Sequence, residues 1–169
     1  MPGRDIFISY SSQDDAIAGL ACERLEQAGY SCWFAPRDIP PGELYAGQII
    51  QALRESRFVL LFFREHSNAS AQVVREINFA VSQRLPTLVV RLDPTPLNNN
   101  FEYLIRINQW LDVSHLANDQ ERVAQMPERI AAAFAKLKAR PKATASKAPV
   151  LNHVDGERVP IMDGRVAGE

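Results

Sequence analysis

The run "FVLLFF", Phe58 to Phe63, holds six apolar residues with no polar residue among them. A strand with one wet face alternates apolar and polar side chains, whereas a strand with both faces covered does not need to. The run is also far too short to span a bilayer, which takes about 20 apolar residues in a helix. It therefore predicts a central strand with helices packed on both sides, the arrangement of a parallel α/β sheet.

From residue 4 to about 138 the chain supplies the partners that such a strand needs. "DIFISY" reads as a first strand, and Ser12 in the following "SSQDD" is placed to cap a helix with acidic residues in its first turn. Ile17, Leu20, Ala21 and Leu25 recur at helical spacing up to a stop near Gly29. "YSCWFA" is a second strand, and "PRDIPPG" is a proline-stiffened loop. A helix from Glu43 presents Ala46, Ile49, Ile50 and Leu53 on one face. After the apolar strand, Ser70 caps a third helix with Val73, Ile77, Ala80 and Val81 as its core stripe. "PTLVVRL" and "INQWLDV" are a fourth and fifth strand, with "DPTPLNNNFEYLIR" as a longer connection. A last helix runs through Ile130, Phe134 and Leu137, with Pro127 in its first turn.

Five strands alternating with helices imply a flavodoxin-like three-layer sandwich around a five-stranded parallel sheet, filling residues 1–138. Residues 139–169 have no aromatic residue and three prolines, and are expected to be a flexible linker or tail. Within them "RVPIM" could add no more than a short edge strand.

Nineteen basic against 20 acidic residues leave a net charge of −1, so no nucleic-acid or membrane partner is expected. Cys22 and Cys32 stand ten apart without a C-x-x-C, which suggests neither a zinc site nor a disulfide framework. Both read as small core residues in a reducing compartment. His66, His115 and His153 lack metal spacing, so no metal is expected. "MPGRDIFISY" has no apolar signal region, and a cytoplasmic soluble protein is the expectation.

In open α/β sheets ligands bind beyond the carboxyl ends of the strands. Three loops fall there: Ser9–Ser12, Ala35–Gly42 and Arg64–Ser70. No G-x-G-x-x-G, G-x-x-x-x-G-K-[ST] or G-x-S-x-G occurs, and Arg64 stands where a phospho-acceptor receiver would end its third strand in aspartate. Glu76 remains, at the edge of the third helix's apolar stripe and expected to be half-buried. It is either a carboxylate poised for chemistry or a helix-face glutamate that favours the helix dipole or pairs with an arginine such as Arg64.

"DIFISYSSQD", "GYSCWFAPRDIPPGELYAGQIIQAL", "SRFVLLFFREHSNAS" and "VVREINFA", in this order, resemble a TIR (Toll/interleukin-1 receptor) domain of the bacterial type over residues 4–138. The resemblance implies one of two functions. Many such domains cleave NAD+ into nicotinamide and ADP-ribose or a cyclic isomer, using a glutamate in the pattern Ser-x-Trp-x-x-x-Glu; others only assemble with further TIR domains. "SAQVVRE" aligns Ser70 and Glu76 with that serine and glutamate, which makes Glu76 the implied catalytic residue. The resemblance further implies that Ser9, Tyr10 and Ser11 lie near the nucleotide and that Trp33, Arg37 and Asp38 border the pocket. Tyr45 or Leu44 would supply a wall. Gln72 stands where the pattern has tryptophan, and Ala35 where aspartate is frequent. Implied partners are NAD+ as substrate, with no separate cofactor, and further copies of the chain through the proline-bearing second loop (the BB loop). A sensor or partner domain beyond the tail, and a role in bacterial signalling or antiviral defence, complete the implication.

Overall fold

The computed structural model describes residues 3–35, 37–39, 42, 45–105 and 109–138. The expected tail, its "RVPIM" strand and the three prolines of the second loop lie outside the described residues, as does Leu44. The chain divides into two compact units, Met1–Ala131 and Ala132–Glu169. The first holds the sheet; of the second, the described part is the remainder of the last helix.

The expected sandwich forms. Five strands, β1 (Ile6–Ser9), β2 (Cys32–Trp33), β3 (Phe58–Phe63), β4 (Thr87–Arg91) and β5 (Gln109–Asp112), pair in the order β2-β1-β3-β4-β5, all parallel. The apolar run is the central strand, and all six of its side chains are buried. Its two faces account for two cores. Val59, Leu61 and Phe63 join Phe7, Trp33 and Val89 in a cluster closed by α2 (Tyr45–Glu55), α4 (Ala71–Ser82) and α5 (Asn99–Ile105). Leu60 and Phe62 turn the other way with Ile6, Ile8, Leu88 and Val90. That layer contains α1 (Asp15–Gln27), which packs on α6 (Asp119–Ala124). The last helix in chain order is α7 (Met126–Lys138).

Several local expectations change. Ser12 begins a 3-10 turn (Ser12–Asp14) and does not cap α1, which starts at Asp15. On α2 the buried residues are Ile49, Ala52 and Leu53, while Ala46 is exposed and Ile50 only partly covered. Val81 is 41% exposed, and Glu76 is buried on α4 in its place. The third loop contains a one-turn helix, α3 (Glu65–Asn68), closed by the Ser67 hydroxyl, which accepts the Arg64 N–H at 2.7 Å. The long connection holds α5, whose N-terminus Asn98 closes by accepting the Phe101 N–H at 3.0 Å, and whose Phe101 and Ile105 enter the core. A further short helix, α6, is capped by Asn118. These additions are too short to show a period in sequence; each has a side chain–backbone hydrogen bond at its start.

Helices α1 and α4 end in the same way. Gly29 follows α1 at φ +98, with its N–H on Glu26 and that of Tyr30 on Leu25. Arg84 follows α4 at φ 56 in the same bonding pattern, its N–H on Val81 and that of Leu85 on Ala80. A left-handed backbone costs a residue with a Cβ about 1–2 kcal/mol, and glycine avoids that cost. Arg84→Gly should therefore raise unfolding stability by about 1 kcal/mol in urea titration; a loss of stability would show that the arginine side chain matters more than the backbone.

Candidate functional site

Strand order reverses direction at β1, because β2 lies on one side of it and β3 on the other. Chains leaving such a point diverge and open a crevice at the carboxyl edge. Here the crevice is a cleft of about 290 Å³. The segment after β1 contributes Tyr10, Ser12 and Asp15 to its lining; β2 and its exit contribute Trp33 and Ala35. Tyr45 comes from the start of α2, and Ser70, Gln72 and Glu76 from the start of α4.

The position of Glu76 follows from the cap of its helix. The Ser70 hydroxyl accepts the Val73 N–H at 3.3 Å, which sets where α4 begins and turns Gln72 and Glu76 toward the cleft. Packing of Val73, Ile77 and Ala80 into the core then presses this side of α4 against the end of β1. Glu76 Oε2 accepts the Ser9 hydroxyl at 2.6 Å, and Oε1 accepts a Gln72 Nε2–H at 3.0 Å. The residue is 5% exposed, so it is buried and not half-buried as its place on the helical wheel suggests. Arg64 is not its partner: the Arg64 Nε lies 2.9 Å from Asp14 Oδ1. Burial pushes the Glu76 carboxyl above the usual carboxylate range, opposed by the hydrogen bonds from Ser9 and Gln72 and by the charge of Arg75.

The remaining candidates divide into those on the cleft and those behind it. The Tyr10 ring stacks on Phe34 with centroids 5.3 Å apart. Its hydroxyl meets the Ala35 carbonyl and lies 3.2 Å from Asp15 Oδ1. Burial and then Asp15 push the phenol up, so it stays protonated at neutral pH. Trp33 lies flat against Phe7, 4.9 Å between centroids, and Tyr45 is 46% exposed at the mouth. Ser9 is fully buried and reaches the site through Glu76. Ser11, Arg37 and Asp38 do not line the cleft. Ser11 is buried and offers its carbonyl to the Asp14 N–H at 2.7 Å. Arg37 forks onto Glu26, at 3.1 and 2.9 Å, and Asp38 accepts the Phe34 N–H at 2.9 Å. Both therefore pin the segment after β2 from outside.

Ser12, which the sequence places in a loop at the ligand-binding edge and at a helix start, joins the lining, as does Asp15, which the sequence marks only as a first-turn acidic residue. Their signal was the run "SSQDD" directly after a strand. Among the described residues, the group able to hold a metal ion is Cys22, Glu26 and Cys32, none of which lines the cleft.

A raised Glu76 pKa has a definite consequence for stability. Folding favours the protonated form, an advantage that is lost as pH rises above about 4.3, the ordinary glutamate value. Glu76→Gln removes that dependence. Its stability relative to wild type should climb as pH rises above the ordinary glutamate range in urea titrations; a flat difference would show that the carboxylate is not strained by burial.

No curated protein sequence matches the chain. Among solved structures, the TIR domains of the activated Roq1 resistosome, which recognizes the pathogen effector XopQ, are similar at TM-score 0.65. That likeness has 16% identity and covers 76% of this chain and 99% of theirs. The TIR domain of the Toll-related receptor TRR-2 from Hydra magnipapillata is similar at TM-score 0.61 and 17% identity, over 80% of this chain and 98% of that one. A metazoan TIR-STING receptor from C. gigas is similar at TM-score 0.55 and 24% identity, over 73% of this chain and 40% of the receptor. Such identities show a shared fold. The family model described as TIR domain matches residues 6–130, most of the sequence, and the protein belongs to the TIR domain family.

Proposed function

We propose that this TIR domain cleaves NAD+ at the nicotinamide glycosidic bond when it is self-associated, in signalling or defence. The observation that carries the reading is Glu76: a buried carboxylate on the cleft, held by one neutral donor on each oxygen and by no arginine or lysine among the described residues. Once ionised, such a group has its negative charge available to a substrate cation. As the C1′–N bond breaks, its electron pair goes to the pyridinium nitrogen, which leaves as neutral nicotinamide. No general acid is needed, unlike the two-carboxyl arrangement of most glycosidases. Positive charge develops on the ribose, where a fixed carboxylate in a partly dry cleft stabilises it. Water then adds at C1′ and loses a proton, giving ADP-ribose; attack by an adenine nitrogen instead gives a cyclic isomer.

Tyr10 and Trp33 offer ring surface to the flat parts of the substrate, and Ser12 and Asp15 offer acceptors for ribose hydroxyls. The cleft lies at the small end of the roughly 300–1,000 Å³ of ligand pockets, so it suits one half of a dinucleotide. The other half would lie outward past Tyr45, where a second copy could cover it. Assembly fits the resistosome TIR domains that the fold resembles.

A second reading is a TIR module that assembles through its second loop without catalysis. The bond from Gln72 favours it, since it occupies a carboxylate oxygen that a substrate would use.

Nicotinamide release from NAD+, measured on protein clustered on a surface or by crowding, separates the two. Glu76→Ala should lower the rate by about a hundredfold or more. If clustered wild type is no faster than this variant yet self-associates, the assembly reading holds. The wild-type rate should rise with pH as Glu76 ionises, and Gln72→Ala should move that rise to higher pH by removing a bond that favours the charged form. Charge reversal at Arg37 and Asp38 should weaken self-association in sedimentation experiments; an unchanged constant counts against a contact through that loop.

A further inference from the structure

Cys22 and Cys32 stand ten apart in sequence, in no metal-binding spacing, but the fold brings them together. Cys22 lies on the buried face of α1, and Glu26 follows it by four residues, one turn further along the same face. Cys32 is the first residue of β2, against which α1 packs. The two Sγ atoms and a Glu26 carboxylate oxygen all lie within 4.8 Å of one another. The thiols are 2% and 0% exposed, while Glu26 reaches solvent, so the group runs from core to surface.

We propose that Cys22, Glu26 and Cys32 form a site for a thiophilic divalent cation, with Zn2+ as the natural occupant. Two thiolates and a carboxylate select zinc over magnesium or calcium, which take oxygen ligands. On binding, the cation displaces one proton from each thiol to solvent and forms two metal–sulfur bonds. The thiols already interact through a hydrogen bond between them. Three anionic donors would be balanced by the doubly charged ion and the Arg37 guanidinium. Arg37 already holds Glu26 with both terminal nitrogens, at 3.1 and 2.9 Å, and its Nη2 donates to the Cys32 carbonyl at 3.0 Å. Ligating carboxylates are commonly oriented by such an outer partner. Water would complete a four-coordinate shell.

The site is tied to the cleft without being part of it. Arg37 links Glu26 to Asp38, and Asp38 fixes the Phe34 N–H beside Ala35, a lining residue. A metal that anchors Glu26 would stiffen this side of the cleft and the start of the second loop.

The full chain, reduced and stripped of metal with a chelator, would be titrated with Zn2+ against a chromophoric chelator and with Co2+ by absorbance. One ion per chain is expected, with near-ultraviolet sulfur-to-cobalt bands and tetrahedral visible bands. Cys22→Ser or Cys32→Ser should abolish the sulfur bands or weaken binding by more than a hundredfold. Glu26→Gln, at an exposed position safe for folding, should weaken Zn2+ binding roughly 10–100-fold. Zinc should also protect both thiols of the wild type from alkylation, a readout that does not depend on the cysteine variants folding. Absence of cobalt bands, binding unchanged by Glu26→Gln, or loss of the thiols to a Cys22–Cys32 disulfide in place of metal uptake would overturn the proposal.

Discussion

The six side chains of β3 have no face that can turn to water, and burying them requires a layer on each side of the sheet. β1 and β4 flank the strand, with Ile6 beside Phe58 and Val59 beside Thr87. Helices α2, α4 and α5 close one face around Val59, Leu61 and Phe63. The same requirement places β1 between β2 and β3, and so places the reversal of strand order, with its crevice, over the ends of β1 and β2. The cleft is thus a by-product of how a doubly covered sheet must be wound.

A charge at that crevice is held by the packing beneath it. Val73, Ile77 and Ala80 fix the roll of α4, and the Ser70 cap fixes where the helix starts. Glu76 then meets Ser9 whether or not its ionisation favours folding. Burial opposes the charge while two neutral hydrogen bonds sustain it, leaving a carboxyl that is strained by burial but rigidly placed. Groups with this balance are found where charge must be stabilised during a reaction. Arg37 and Asp38 act from the other side, holding the exit of β2 so that Ala35 and Trp33 face the cleft.

Much of this was legible in residues. The apolar run, the strand–helix alternation and the Ser70 cap led to the sheet and to α4 without coordinates. Short elements were not legible: α3, α5 and α6 run four to seven residues, too few to display a period. Their hydroxyl or amide caps were visible only as ordinary loop composition. The second loop was read as a border of the site, and the structure instead puts Arg37 and Asp38 behind it, because ion pairs to Glu26 and Arg4 draw them outward.

Glu76 and Val81 mark where sequence ends and tertiary structure begins. On a helical wheel both lie roughly 70° from the line through Val73, Ile77 and Ala80, on opposite sides. Hydrophobicity alone favours burying the valine. The fold does the reverse, leaving Val81 41% exposed and Glu76 5% exposed, because β1 ends beside Glu76 and supplies the Ser9 hydroxyl. The pairing of Cys22 with Cys32 is of the same kind, since their approach depends on α1 packing against β2 and not on their spacing. By itself the sequence determined the five strands, the longer helices and that the sheet is covered twice, since local periodicity and apolar runs encode those. Which polar groups meet across the sheet's edge was decided by tertiary packing, because those contacts join residues as far apart as Ser9 and Glu76.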